Sequence, residues 1–147
     1  MAIEQGLVML IQQGLAAATP PVVVPGGFAT ELPKDMLSPT NPMAWSYRTI
    51  TSEPSYHLGG QDGFTSLHVQ IDCHGYDLPN VGGAANAQKL ARAIDAVLRG
   101  LFTGTLPDTD QTFVFGITRQ PGFVDGFSDV NRSYVRSLEY QVDYNQV

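Results

Sequence analysis

Six of the chain's ten prolines fall between Pro20 and Pro42, and this crowding is the tightest constraint on what the 147 residues can become. Proline lacks a backbone N–H and fixes φ, so neither a helix interior nor a central strand can run through PPVVVPGGFATELPKDMLSPTNP. The stretch from about 18 to 42 is therefore expected to be an extended arm or loop, with one short edge strand around Phe28 to Leu32. A long irregular segment in a small domain is usually functional or ordered by a partner. Phe28 and Leu32 are accordingly its candidate contact residues.

Before the arm, Ile3, Leu7, Leu10, Ile11 and Leu15 recur at helical spacing, and the helix must stop ahead of Pro20-Pro21. The following AAAT resembles a cleavage site, but no Lys or Arg precedes the apolar stretch and Glu4, Gln12 and Gln13 interrupt it. The segment reads as an amphipathic helix rather than a signal peptide. After the arm, Met43 to Glu53 is rich in β-branched and aromatic residues and reads as a strand. A turn region from Pro54 to Gly63 and a second strand from Phe64 to His74 complete a hairpin with a long loop.

From Ala84, the apolar residues Ala87, Leu90, Ala91, Ile94, Val97, Leu98 and Leu101 keep a helical period, with Gln88, Lys89, Arg92, Asp95 and Arg99 opposite. Strands Thr112 to Arg119 and Ser133 to Asp143 follow, joined by a loop from Gln120 to Arg132. The expected class is α+β: one domain over 1–147 with an antiparallel four- to five-stranded sheet and two helices on one face, in the order α-(arm)-β-β-α-β-β.

Hydrophobic residues at 43% and charged residues at 15% set the chain apart from disordered sequences. Its formal charge of −6 opposes tight nucleic-acid reading, which depends on neutralising phosphates, while leaving passive contact with moving DNA open. One cysteine cannot form an intramolecular disulfide. No stretch approaches the roughly 18 apolar residues of a transmembrane helix, so no membrane association is expected.

The segment SLHVQIDCHGYD is the densest in potential chemistry. On a strand, Leu67, Val69, Ile71 and Cys73 share one face, and His68, Gln70, Asp72 and His74 share the other. Cys73 and the histidines then point apart, and His68 lies about 20 Å from His74, too far to hold one ion. Asp72 with His74 would need ligands from elsewhere. Cys73 reads as a small core hydrophobe; the polar row reads as a solvated face, a subunit interface or a channel lining. HLGGQDGF lies between strands and lacks the helix N-terminus of a phosphate cradle. Asp108, Asp110, Asp125 and Asp129 lack calcium-loop spacing, and the glycosylation sequon at Asn131 has no secretory context. No catalytic, cofactor-binding or metal-binding residue is expected. On the last strand Tyr134, Arg136, Leu138, Tyr140, Val142 and Tyr144 share a face, whose Tyr-Arg composition suits either an interface or a half-buried core.

WSYRTITSEPSYHLGGQDGFTSLHVQIDCHGYD, the helix ANAQKLARAIDAVLRGL and the closing RSYVRSLEYQVDY together resemble the tail-completion, or tail-terminator, proteins of long-tailed bacteriophages and prophage-like particles. The most specific parts are Tyr47-Arg48-x-Ile50, the turn from Tyr56 to Gly63, Val69-Gln70-Ile71-Asp72 and Arg136-Ser137-Leu138-Glu139-Tyr140. The resemblance implies a non-enzymatic virion protein assembled in the host cytoplasm: a homo-oligomeric, hexameric ring that caps the tail tube, stops its growth and joins it to the head. Its partners would be the tail tube protein and head-neck connector proteins, with DNA only passing through the lumen. Departures are the proline-rich arm and the extended loops around Pro107 to Asp110 and from Gln120 to Arg132.

The arm and the second loop are expected to contact neighbouring subunits or rings. The candidate interface residues are Phe28, Leu32, Trp45, His68, Gln70, Asp72, Phe123, Phe127, Tyr134, Arg136 and Tyr140. Two alternatives stay open. One is another neck component, such as a head-completion or tail-tube-like protein. The other is a small metal-binding enzyme using Asp72 and His74.

Overall fold

The computed structural model describes residues 2–33, 35–57, 60–77, 82–99, 103–107, 112–128 and 133–145. Helix α1 (Ala2–Ala17) precedes β1 (Phe28–Ala29), β2 (Met43–His57) and β3 (Gly60–Tyr76). Helix α2 (Gly83–Leu98), β4 (Gly104–Thr105), β5 (Phe113–Arg119), β6 (Val124–Ser128) and β7 (Ser133–Asn145) follow. The α+β class holds, with both helices on one face of the sheet, but the sheet is larger than the sequence suggested. Among the described residues the sheet has seven strands: six run in the order β1-β2-β3-β7-β5-β4, and the seventh, β6, pairs with β7. The sheet is also mixed, because β1 lies parallel to β2.

Alternation organises the core. Leu67, Val69, Ile71 and Cys73 of β3 face the helices, joined by Trp45 of β2 and by Leu138, Tyr140, Val142 and Tyr144 of β7. From above, α1 contributes Ile3, Leu7, Ile11 and Leu15, and α2 contributes Leu90, Ala91, Ile94 and Leu98. Each such Leu or Ile, once removed from water, stabilises the fold by about 1.5–3 kcal/mol. Leu101 lies outside the described residues. No helix among the described residues is long and apolar enough to cross a membrane.

Helix α2 is seated on β3 by backbone contact. A Cβ on Gly75 would collide with the carbonyl oxygen of Gly83, and one on Gly83 would meet both the Gly75 carbonyl and the Tyr134 ring. Gly82, the N-cap residue, supplies no capping side chain. Asp77 accepts the Gly83 N–H at 3.0 Å instead, placing a carboxylate at the positive end of the helix.

The proline-rich arm is committed to its own domain. Val22 and Val24 pack on the core beside α1, and Pro25 O accepts the Trp45 N–H at 3.2 Å. Phe28 and Ala29 then pair with Ser46 and Tyr47, and Leu32 and Leu37 are buried with Ala44. Ala44 pairs with His74, so this smaller cluster lies on the face opposite the helices. The arm thus folds around the β2 edge, with Val22, Val24, Leu32 and Leu37 packed within the chain and Val23 exposed at 86%.

Two expected loops are strands in part. The hairpin of β2 and β3 runs through the predicted turn region to pair His57 with Gly60, and a register shift between Pro54 and Tyr56 accommodates the proline. The predicted loop from Gln120 to Arg132 contains β6, which pairs Val124 with Ser137 through to Ser128 with Ser133. Since β3 occupies the other edge of β7, β5 and β6 lie end to end along one edge, with 120–123 bulging between them.

Candidate interaction surfaces

The sheet's back, away from the helices, carries the polar row of β3 as the alternation requires. His68, Gln70, Asp72 and His74 lie opposite Gln141, Glu139, Ser137 and Val135 of β7. Ser46 and Arg48 of β2 lie opposite Asp72 and Gln70. This face is held by side-chain bonds rather than left to solvent. Asp72 Oδ1 accepts from Ser137 Oγ at 2.6 Å and from Gln70 Nε2 at 2.8 Å, while Arg48 Nη2 donates to Oδ2 at 3.2 Å. Asp143 Oδ1 accepts from Ser66 Oγ at 2.6 Å and from Gln141 Nε2 at 3.0 Å, and His68 Nε2 pairs with Gln141 Oε1 at 3.3 Å.

Asp72 and His74 are buried, at 4% and 6% exposure, where a solvated row was one expectation. His74 Nδ1 pairs with the buried hydroxyl of Ser133 at 3.0 Å. Burial pulls the His74 pKa below its usual value, against the opposing pull of Asp72, and favours the neutral ring. Over these residues lies an open cavity of about 320 Å³, bordered by Thr30 and Glu31 of the arm and by β6. Among the described residues, no three His, Cys, Asp or Glu side chains gather closely enough to hold a metal ion. The structure therefore gives Asp72 and His74 hydrogen-bonding partners within the sheet.

The β6–β7 hairpin carries an aromatic surface on the helix side. Phe127 and Tyr134 pack edge to face with ring centres 5.1 Å apart. Arg136 lies 3.9 Å above the Phe123 ring and grips Asp125 with two bonds, of 2.9 and 3.0 Å. The guanidinium pulls the Asp125 carboxyl below its usual pKa, chiefly by hydrogen bonding. Phe123, Phe127 and Tyr134 remain 52%, 55% and 40% exposed. Large aromatics beside arginine are what protein interfaces favour, and exposed together they form a surface suited to a partner.

The candidate interface residues therefore separate. Phe123, Phe127 and Tyr134 reach the surface beside half-buried Arg136, and half-buried His68 and Gln70 border the back face with buried Asp72. Phe28 is half-buried against the arm's own cluster. Leu32, Trp45 and Tyr140 are corrected: at 4%, 0% and 0% exposure they belong to the chain's own interior and cannot meet a partner in this conformation. Leu32 packs with Ala44, Trp45 with α1 and Tyr140 with α2. The sequence reading did not place Ser46, Arg48, Ser137 and Glu139 beside the β3 row. The signal was present in β7, whose second face alternates Val135, Ser137, Glu139, Gln141 and Asp143, but register was needed to align it with β3.

Asp108, Asp110, Asp129 and Asn131 lie outside the described residues, as does most of the loop after Pro107. No protein-family model matches the chain, and no curated protein matches it significantly.

Proposed function

We propose that this is a structural assembly protein, a tail terminator that forms a hexameric ring on the end of a phage-like tail tube, stops its growth and joins it to the head. The observation that carries an assembly role is the exposed Phe123, Phe127 and Tyr134 cluster with Arg136 laid over Phe123. Phe127, Tyr134 and Arg136 stand on paired strands, with Phe123 just before β6 held under Arg136, so these side chains lose little freedom on docking. The assignment to tail ends draws on the resemblance of Tyr47-Arg48-x-Ile50, Val69-Gln70-Ile71-Asp72 and Arg136-Ser137-Leu138-Glu139-Tyr140 to tail-completion proteins. A net charge of −6 suits a ring through which DNA passes without being retained.

The test is light scattering and negative-stain imaging of the protein alone and mixed with its tail tube protein. Rings in solution or on tube ends, with tubes of limited length, are the expected result. A protein that stays monomeric and leaves tube growth unchanged overturns the proposal.

A further inference from the structure

The outward face of α2 and the back of the sheet carry opposite charge. On α2 and at its C-cap residue Arg99, the residues Ala85, Lys89, Arg92, Ala96 and Arg99 recur at three- and four-residue spacing and are all exposed. Three cations thus form an outward stripe without an acid, because the helix's own carboxylate, Asp95, is buried against Tyr140. Lys89 and Arg92 make no ion pair among the described residues, and Arg99, though 3.4 Å from Asp95, keeps 77% of its side chain exposed. From Lys89 to Arg99 the stripe spans about 15 Å at 1.5 Å per residue.

Among the described residues, the back of the sheet presents exposed Glu31 and Glu139 and half-buried Asp143, while its cation Arg48 is paired with buried Asp72. Glu139 and Asp143 stand about 13 Å apart along β7, close to the span of the helix stripe. Glu139 also borders a cavity of about 340 Å³ with Gln70, Ser137, Pro121 and Val124. A carboxylate, an amide and a hydroxyl there adjoin an apolar wall, the combination that receives a long cationic side chain, stem on the apolar part and head on the acid.

We propose that the back face of one copy, centred on Glu139, receives the Lys89, Arg92 and Arg99 stripe of a second copy. This rests on the reading of the protein as a self-assembling ring subunit, and it makes the polar row of β3 a subunit interface rather than a channel wall. The two surfaces lie on opposite sides of the sheet, so a copy that donates its stripe to one neighbour offers its back face to another. Such a contact is heterologous and propagates until it closes.

Cys73 is fully buried, which leaves introduced surface thiols free to report. Full-length Glu139→Cys and Arg92→Cys variants, each checked for native circular dichroism, are treated with a short bismaleimide, singly and mixed, in the presence of tail tubes. The mixture is expected to give cross-linked dimer well above either variant alone. Arg92→Glu or Glu139→Lys is expected to weaken association at least about tenfold, and the doubly swapped chain to recover it. Cross-linking as strong in either single variant, or ring formation indifferent to both reversals, overturns this interface while leaving the assembly role standing. A wild-type chain that neither self-associates nor caps tubes overturns both.

Discussion

Tyr140 of β7 donates its phenol to Asp95 Oδ1 on α2 at 2.7 Å, with both residues shielded from water. Arg119 Nη1 and Arg99 Nη2 reach the second carboxylate oxygen at 3.3 and 3.4 Å. The cluster ties the helix layer to the sheet through a buried charge with three donors. Burial first, and then the adjoining carboxylate, push the Tyr140 pKa far up, so the phenol remains a donor at any practical pH.

Tyr140→Phe removes that donor and leaves a buried oxygen short of a partner. A hydrogen bond to a charged group contributes about 1.5–3 kcal/mol, and a loss of that size in urea unfolding is expected. Tail capping should survive wherever the variant remains folded, because the residue is internal. A Tyr140→Phe protein of unchanged stability but defective assembly would contradict the internal role.

Gly26 presses on Trp45, and a Cβ there would overlap the indole Nε1. The same indole N–H donates to Gln12 Oε1 at 3.4 Å, while Gln12 Nε2 donates to Val24 O at 3.3 Å. Gly26→Ala must therefore displace either the arm or the tryptophan. Overpacking of this kind costs about 1–3 kcal/mol. The variant should unfold at lower urea and show a changed Trp45 fluorescence maximum, Trp45 being the chain's single tryptophan; an unaltered spectrum would mean that the arm does not rest on the indole.

These two sites show what could be read from the sequence. The α2 helix and the two faces of β3 were legible because one-sided burial imprints a period of 3.6 or 2 on the residues themselves. Strand β6, VDGFS, carries no such imprint: four of its five residues are exposed, and only pairing with β7 makes it a strand. The two-residue strand β4 is likewise set by its neighbour, whereas the short edge strand expected around Phe28 to Leu32 is present as β1, Phe28–Ala29. Trp45 and Tyr140 were misjudged as partner-facing because composition cannot distinguish an aromatic that fills its own core from one that awaits a partner. Gln12 was read only as an interruption of an apolar stretch, whereas it bridges the arm and the indole.

His74 makes stability depend on pH in a defined sense. Its folded pKa lies below the usual 6.5, so between the two values the unfolded chain binds more protons than the folded one. Stability therefore rises with pH across that window: the contribution is complete above about 6.5 and is lost as pH falls toward the folded value. The slope from this residue is at most about 1.4 kcal/mol per pH unit. Chemical denaturation between pH 7 and 5 should show decreasing stability, and His74→Gln should flatten the dependence. An equal slope in the variant would assign the effect to other groups.

The aromatic surface gives the sharpest separation of folding from assembly. Phe123 and Phe127 are more than half exposed, and β6, which carries Phe127, lies at the edge of the sheet beyond the main core. Phe123→Ser with Phe127→Ser should therefore change unfolding stability by no more than about 0.5 kcal/mol per site. At an interface, aromatic anchors truncated in this way commonly cost about 2 kcal/mol or more each, or roughly thirtyfold in affinity. The double variant should thus remain a folded protein with native circular dichroism while tubes grow past their normal length and heads fail to join. Normal capping by the double variant would remove this surface from the assembly and leave the charged faces to carry it. A large loss of stability without tubes present would instead make the cluster part of the domain's own fold.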